Sequence, residues 1–93
     1  MLRNLLENAK RHGTPPIEVR VSRTGGGAEM AVCDHGAGVP EDERERVFDP
    51  FYRAGTGQGS GLGLALVRQI ARRHGGEART RGSCFIVVLP LKR

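Results

Sequence analysis

The sequence predicts an α+β fold: a two-layer α/β sandwich, with helices on one face of a mixed, mostly antiparallel sheet. Three observations carry this. Segments 1–12 and 61–74 place apolar residues at helical spacing. Regions 17–34 and 77–89 each read as two short strands joined by a glycine-containing turn. The order is helix, hairpin, loop, helix, hairpin, without the spacing of parallel strand–helix–strand units.

In the first helix, 1–12, Leu2, Leu5, Leu6 and Ala9 make one apolar stripe, and Gly13, Pro15 and Pro16 stop it. Residues 17–23 alternate strictly. Ile17, Val19 and Val21 point one way and Glu18, Arg20 and Ser22 the other, the pattern of a half-exposed strand. A turn at 24–27 leads into a returning strand, 28–34, that ends on Asp34. A glycine loop follows, then a short helical stretch around 41–47. Segment 52–60 is polar, glycine-rich and aperiodic, and is expected to be mobile. In the second helix, 61–74, Leu62, Ala65, Leu66, Ile70 and Ala71 are expected to face inward, with Gly75-Gly76 as the stop. Strands 77–81 and 84–89 meet at a tight Gly82-Ser83 turn. The run CFIVVL predicts a central, buried strand.

Ninety-three residues make one small domain, 1–93. A chain of this size buries about 60–65% of its unfolded surface, so marginal stability is expected. The net charge of +5 and the pI near 10.2 point to anionic partners. Only 4% of residues are aromatic and none is Trp. Stacking platforms for single-stranded nucleic acid are hard to build from that, so nucleic acid is not expected as a partner. Cys33 and Cys84 lie in apolar runs without a C-x-x-C pattern, and are expected to be buried free thiols in a reducing compartment. No apolar run reaches the roughly 18 residues of a membrane span. A cytoplasmic chain with no membrane contact of its own is the expectation.

Four short motifs in fixed order carry chemistry: NLLENAKRH at 4–12, DHGAG at 34–38, FDPFYR at 48–53 and GQGSGLGL at 57–64. Asn4 and Asn8 are four apart, so both amides share a helix face. Mg²⁺ takes hard oxygen ligands and keeps several waters, so amide and phosphate oxygens suit it. Lys10, Arg11 and His12 add positive charge nearby; without a ligand, the same residues make an ordinary polar helix face. Asp34 ends a strand and can accept from an exocyclic amine such as adenine N6, while Gly36 and Gly38 allow close approach of a base. Gly61 and Gly63 open the second long helix, where unpaired N–H groups and the dipole favour phosphate. Neither a dinucleotide-binding fingerprint nor a Walker loop is present in this run. Phe48 and Phe51 read as loop anchors, and Arg53 could reach a phosphate.

Together these motifs resemble the catalytic ATP-binding domain of bacterial two-component sensor histidine kinases (HATPase_c, within the GHKL superfamily shared with gyrase and a heat-shock chaperone). NLLENAKRH is similar to the N box, DHGAG to the first glycine box, FDPFYR to the F box and GQGSGLGLALV to the second glycine box. The tail IARRHGGEARTRGSCFIVVLPL is similar to the closing helix and hairpin. The resemblance implies a Bergerat-type ATP-binding fold and a magnesium nucleotide. It implies Asn8 as the main Mg²⁺ ligand with Asn4 and Gln58 close by, and Arg11 and His12 at positions that contact phosphate or nucleotide. Asp34 would hold the adenine amine, with Gly36 and Gly38 beside it. Gly59, Gly61, Leu62 and Gly63 would line the phosphates, and Arg53 with 52–60 would form a short lid.

The resemblance also discriminates within the superfamily. ATP-hydrolysing relatives and anti-sigma serine kinases carry Glu where this chain has Asn4, and an amide cannot take a proton. Glu7 lies on another face of the helix. That favours the histidine-kinase branch, in which a histidine on a separate dimerisation domain receives the γ-phosphoryl and a response regulator follows. None of His12, His35 and His74 has the sequence context of such an acceptor. The resemblance implies a strand and a helix upstream of Asn4, so the chain is expected to be part of a longer kinase. A non-catalytic nucleotide-binding remnant and an anti-sigma-type serine kinase are the alternative readings.

Overall fold

The computed structural model describes residues 2–49 and 63–90. Helix α1 spans Leu2–His12, and strands β1 (Glu18–Thr24) and β2 (Gly27–Cys33) form the first hairpin. Two 3₁₀ turns, Glu41–Glu43 and Arg46–Phe48, stand where a short helix was expected. Helix α2 spans Gly63–Arg73, and strands β3 (Glu77–Arg81) and β4 (Cys84–Pro90) form the second hairpin. Among the described residues the sheet has four strands in the order β1-β2-β4-β3. All three pairings are antiparallel. The α+β class therefore holds, with no parallel pair among the described strands.

Both helices lie on one face, α1 over β2 and α2 over β3 and β4. Leu5 and Ala9, one helical turn apart, are buried, while Arg3 and Glu7 pair at 3.5 Å on the exposed side. Val32, Val67, Ala71, Ala78 and Val87 complete the core with Val47 and Phe48 from the second 3₁₀ turn. Full burial of a side chain such as Leu5 or Val67 is worth about 2 kcal/mol each. β4 is the central strand its apolar run predicts. Val87 faces the helices and Ile86 the opposite face, and both are 1% exposed. On that opposite face the register flanks the Ala31–Ile86 pair with Arg20 and Arg79, whose long stems can lie over it.

Three expectations are corrected. Ala71 is buried as expected, but the residue buried with it on α2 is Val67, with Leu64 packed partly against the core, rather than Leu66. Leu66 is 47% exposed, and Ala65 and Ile70 are partly buried. The helix carries apolar residues around most of its circumference, so periodicity alone left its rotation ambiguous. β1 is an exposed edge strand along its whole length rather than half-buried. Its register puts Val19 and Val21 on the helix side, but α1 and α2 sit over the other strands, leaving them 45% and 73% exposed. Cys33 and Cys84 are not free thiols; they stand directly opposite each other on β2 and β4 and form a disulfide.

The stop of α2 follows the expected glycine pair. Gly75 adopts φ +82, its N–H donates to the Arg72 carbonyl, and the Gly76 N–H donates to the Ala71 carbonyl. This is the Schellman arrangement, which satisfies the last helical carbonyls. The His74 Nδ1 lies 2.9 Å from the Ile70 carbonyl and closes the same end.

Candidate nucleotide-binding site

The expected site residues fall at two ends of α1. At its C-terminal end is Asp34. This half-buried side chain follows β2, and its Oδ1 accepts the Gly36 N–H at 2.6 Å. A Cβ on Gly13 would stand 2.6 Å from Asp34 Oδ2, so only glycine lets the end of α1 approach the carboxylate. The Asp34 N–H donates to the Ser83 carbonyl (3.1 Å), and the Ser83 hydroxyl donates to the Asp34 carbonyl (2.7 Å). The following loop is pinned as well. The His35 N–H donates to the Thr14 carbonyl at 2.8 Å, and His35 Nδ1 lies 2.8 Å from the Pro16 carbonyl. Gly38 has φ +85 and runs against the Gly82 carbonyl, leaving no room for a side chain.

Towards the other end, Asn4 lies in the first turn of α1, and Asn8 lies one turn on, past the middle of the helix; both are half-buried. A Cβ on Gly63 would lie 3.9 Å from the Cβ of Asn4, so the first turn of α2 starts beside this amide. Arg11 is exposed on the same helix, and His12 is its last residue. Arg53, Gln58, Gly59, Gly61 and Leu62 lie outside the described residues, as do Phe51 and the 52–60 segment expected to form a lid. Among the described residues no three His, Cys, Asp or Glu side chains gather as a metal-binding cluster. The donors available to a cation here are neutral amides, which suit Mg²⁺ shared with phosphate oxygens and water rather than a carboxylate cage. On that chemistry the residues present fit a magnesium nucleotide.

A cluster of charges fixes α2 relative to this face. Arg68 donates to Glu45 Oε1 at 2.7 Å and to Glu77 Oε1 at 3.1 Å, with its guanidinium 4.8 Å from the Phe48 ring centroid. Arg72 joins Glu77 at 3.2 Å. Phe48 meets Phe85 edge-on at 6.3 Å, which is the anchoring role expected of it. Desolvation disfavours the Glu77 charge, but the Ala78 N–H, Arg72 and Arg68 outweigh it and hold its carboxyl down at about 2. Burial works against the Arg68 charge too, and Glu45 and Glu77 overcome it and raise its pKa. An open hollow beside this cluster is lined by Phe48, Gln69 and Arg72, and by neither α1 nor Asp34. Two of its three cations, Arg68 and Arg72, are already paired, and the hollow shares no residue with α1 or the Asp34 loop.

Ser83, Gly13 and Thr14 are the site neighbours that sequence reasoning missed. Ser83 lies 49 residues from Asp34, and only the β2–β4 register brings them together. The signal available in the sequence was the hydroxyl placed in the Gly82-Ser83 turn.

The described residues thus form an α+β layer with an acid at a strand end, a glycine loop and one amide, Asn4, beside a helix start. The chain belongs to the histidine kinase-, DNA gyrase B- and HSP90-like ATPase family, whose profile matches residues 1–93. It is 41% identical over 102 residues to a signal transduction histidine-protein kinase/phosphatase, MprB, of Mycobacterium sp. (strain KMS), covering 94% of this chain and 20% of that protein. The crystal structure of the ATP-binding domain of PrrB from Mycobacterium tuberculosis superposes with a TM-score of 0.77 at 35% identity, over 97% of this chain and 63% of that one. Full-length ShkA, crystallised with AMPPNP, gives a TM-score of 0.82 at 30% identity, over 96% of this chain and 20% of that one. The chain thus spans about a fifth of the length of the curated sensor kinases it matches. Among the described residues no helix is long and apolar enough to cross a membrane.

Proposed function

We propose that residues 1–93 form the ATP-binding catalytic domain of a two-component sensor histidine kinase. The observation that carries this reading is the placement of α1 between two unlike ends. Its Gly13 end abuts the Asp34 carboxylate and its Asn4 end abuts the start of α2. Nine residues of helix separate them by roughly 13 Å, a span that fits a nucleotide laid from base to terminal phosphate. Asp34 would accept from the adenine amine, with its Oδ1 already held by the Gly36 N–H. Gly36 and Gly38 would let the base lie against the backbone. Asn8 with Asn4 and Gln58 would hold Mg²⁺, which when bound neutralises phosphate charge. Arg11, His12, Arg53 and the run Gly59, Gly61, Leu62 and Gly63 would contact the phosphates, helped by the N-terminus of α2.

The chain's own residues then act by positioning, which is most of what phosphoryl transfer requires. The γ-phosphoryl would pass to a histidine on a separate phosphoacceptor and dimerisation domain of a longer, cytoplasmically oriented protein, and from there to a response regulator. Asn4 favours this reading over an anti-sigma-type serine kinase, because its amide cannot take a proton from a hydroxyl. Asp34→Asn is the test. Loss of a charge-assisted hydrogen bond should weaken ADP binding about ten- to a hundredfold, read by calorimetry with magnesium present. Unchanged affinity in a folded variant would refute the assignment.

A further inference from the structure

We propose that Cys33–Cys84 is a thiol-exchangeable clamp, a redox modification site whose state sets how firmly Asp34 is held. The disulfide joins β2 to β4 at the last rung before Asp34. The next rung, Asp34 with Ser83, carries the hydrogen bond from the Asp34 N–H to the Ser83 carbonyl. Hydrogen-bonded and non-hydrogen-bonded pairs alternate along an antiparallel ladder, so the cysteines occupy a non-hydrogen-bonded pair, in which the strands approach most closely. Their Cα atoms are 4.0 Å apart. No ladder hydrogen bond ties the strands at that rung, and the covalent bridge takes its place. The Asp34–Ser83 rung outside it is the end of the ladder, where local opening costs least.

The bridge is placed for exchange. It lies on the sheet face opposite the helices, where Cys84 is partly exposed and Cys33 is 6% exposed. Arg81 stands opposite Cys84 and Glu18 opposite Cys33. The co-reactant is a dithiol. Its thiolate attacks the accessible Cys84 Sγ, the S–S bond breaks, and Cys33 leaves as a thiolate that takes up a proton. The second thiol of the dithiol then attacks its own sulfur in the mixed disulfide. Cys84 leaves as a thiolate and is protonated in turn. Two electrons pass to the bridge, the dithiol becomes a disulfide, and its two protons end on the cysteines. Formation of the bridge by an oxidised dithiol is the reverse sequence.

The consequence for ligand binding rests on the nucleotide reading of Asp34 above. With the bridge closed, Asp34 and Ser83 are held in register; with it open, the terminal rung frays and the carboxylate must be ordered by the ligand. Loss of about one hydrogen bond's worth of ordering corresponds to about fivefold weaker binding. The test compares the 93-residue chain after oxidised dithiothreitol with the same chain in excess reduced dithiothreitol. The Cys33→Ala/Cys84→Ala double variant serves as control. Thiol titration under denaturing conditions should find none in the first sample and two in the second. Amide exchange at Asp34 should quicken at least fivefold on reduction, and ADP affinity should fall about fivefold. The double variant should resemble the reduced chain and ignore the reagent. Free thiols persisting after oxidation, or exchange at Asp34 unmoved by reduction, would overturn the clamp. Equal ADP affinity in both states would overturn its control of the site. Absence of ADP binding in every sample, with exchange responding as expected, would instead sink the nucleotide reading and leave the clamp standing.

Discussion

Gly38→Ala asks whether the loop after Asp34 is held by conformation alone or also by contact. Gly38 has φ +85, and its added Cβ would stand 2.7 Å from the Gly82 carbonyl carbon and 3.2 Å from the Ser83 nitrogen. All of these atoms are backbone, so a strand turn must move. Two other glycines separate the contributions. Gly82 has φ +58 with nothing among the described residues within 4 Å of an added Cβ, so Gly82→Ala meets only the left-handed penalty, about 1 kcal/mol. Gly26 has neither a positive φ nor, among the described residues, a neighbour within 4 Å of an added Cβ, so Gly26→Ala should be neutral or stabilising by about 0.5 kcal/mol. Gly38→Ala should add an overpacking cost of about 1–3 kcal/mol to the conformational one, about 2–4 kcal/mol in total. Urea unfolding of the three variants, compared at a common slope, measures the ladder of effects. If Gly38→Ala costs no more than Gly82→Ala, the contact between the Asp34 loop and the β3–β4 turn has no energetic weight, and the account of the pinned site is wrong.

Other perturbations address the layers around the site. Leu5→Ala, at a side chain with 0% exposure, should cost about 2–5 kcal/mol by the same unfolding assay. Thr80 is 8% exposed and its Oγ1 has no hydrogen-bond partner among the described residues, so Thr80→Val should stabilise by about 1 kcal/mol. The Glu77 carboxyl is depressed from 4.5 to about 2, so the stability it contributes is present above pH 4.5 and is lost as pH falls toward 2. Its side chain is 41% exposed, and solvent screening brings the contribution to about 1 kcal/mol. The cost of Glu77→Gln should therefore be full at pH 6 and close to vanishing near pH 2; a cost that is independent of pH would show that the carboxylate charge is not what Arg68 and Arg72 respond to.

The features legible in the sequence are those governed by local periodicity. The stripe through Leu5 and Ala9, the glycine turns, the Gly75-Gly76 stop and the apolar run of β4 each declare an element within a few residues. What escaped depends on which element covers which. Nothing local tells Val19 and Val21 that the helices lie over the other strands, so their alternation suggests burial they do not have. The rotation of α2 is settled by Val67 meeting the sheet, a choice its many apolar residues do not announce. Cys33 and Cys84 become partners only because the β2–β4 register sets them face to face, and the same register delivers Ser83 to Asp34. At the candidate site, the chemical groups Asn4, Asn8 and Asp34 were legible as types at spacings. The hold of Ser83 on the Asp34 backbone was not, because a hydrogen-bond partner 49 residues away leaves no periodic trace.

The separation of the two ends of α1 makes a further expectation quantitative. If Asp34 reads the base and Asn4 serves the metal and phosphates, the two act on different parts of one ligand across roughly 13 Å of helix. Asp34→Asn should weaken adenosine, ADP and Mg·ATP alike. Asn4→Ala should leave adenosine affinity unchanged and weaken Mg·ATP about fivefold, the worth of about one polar interaction. Side chains that far apart with no shared partner should combine additively, so the double variant's loss for Mg·ATP should equal the sum within about 0.5 kcal/mol. Calorimetric titration of the four proteins with the three ligands closes the cycle. Two outcomes defeat the arrangement. If Asn4→Ala weakens adenosine as much as Mg·ATP, the amide supports the fold rather than the phosphate end. If the two substitutions are strongly non-additive, the ends of α1 are not the independent base and phosphate stations proposed for them.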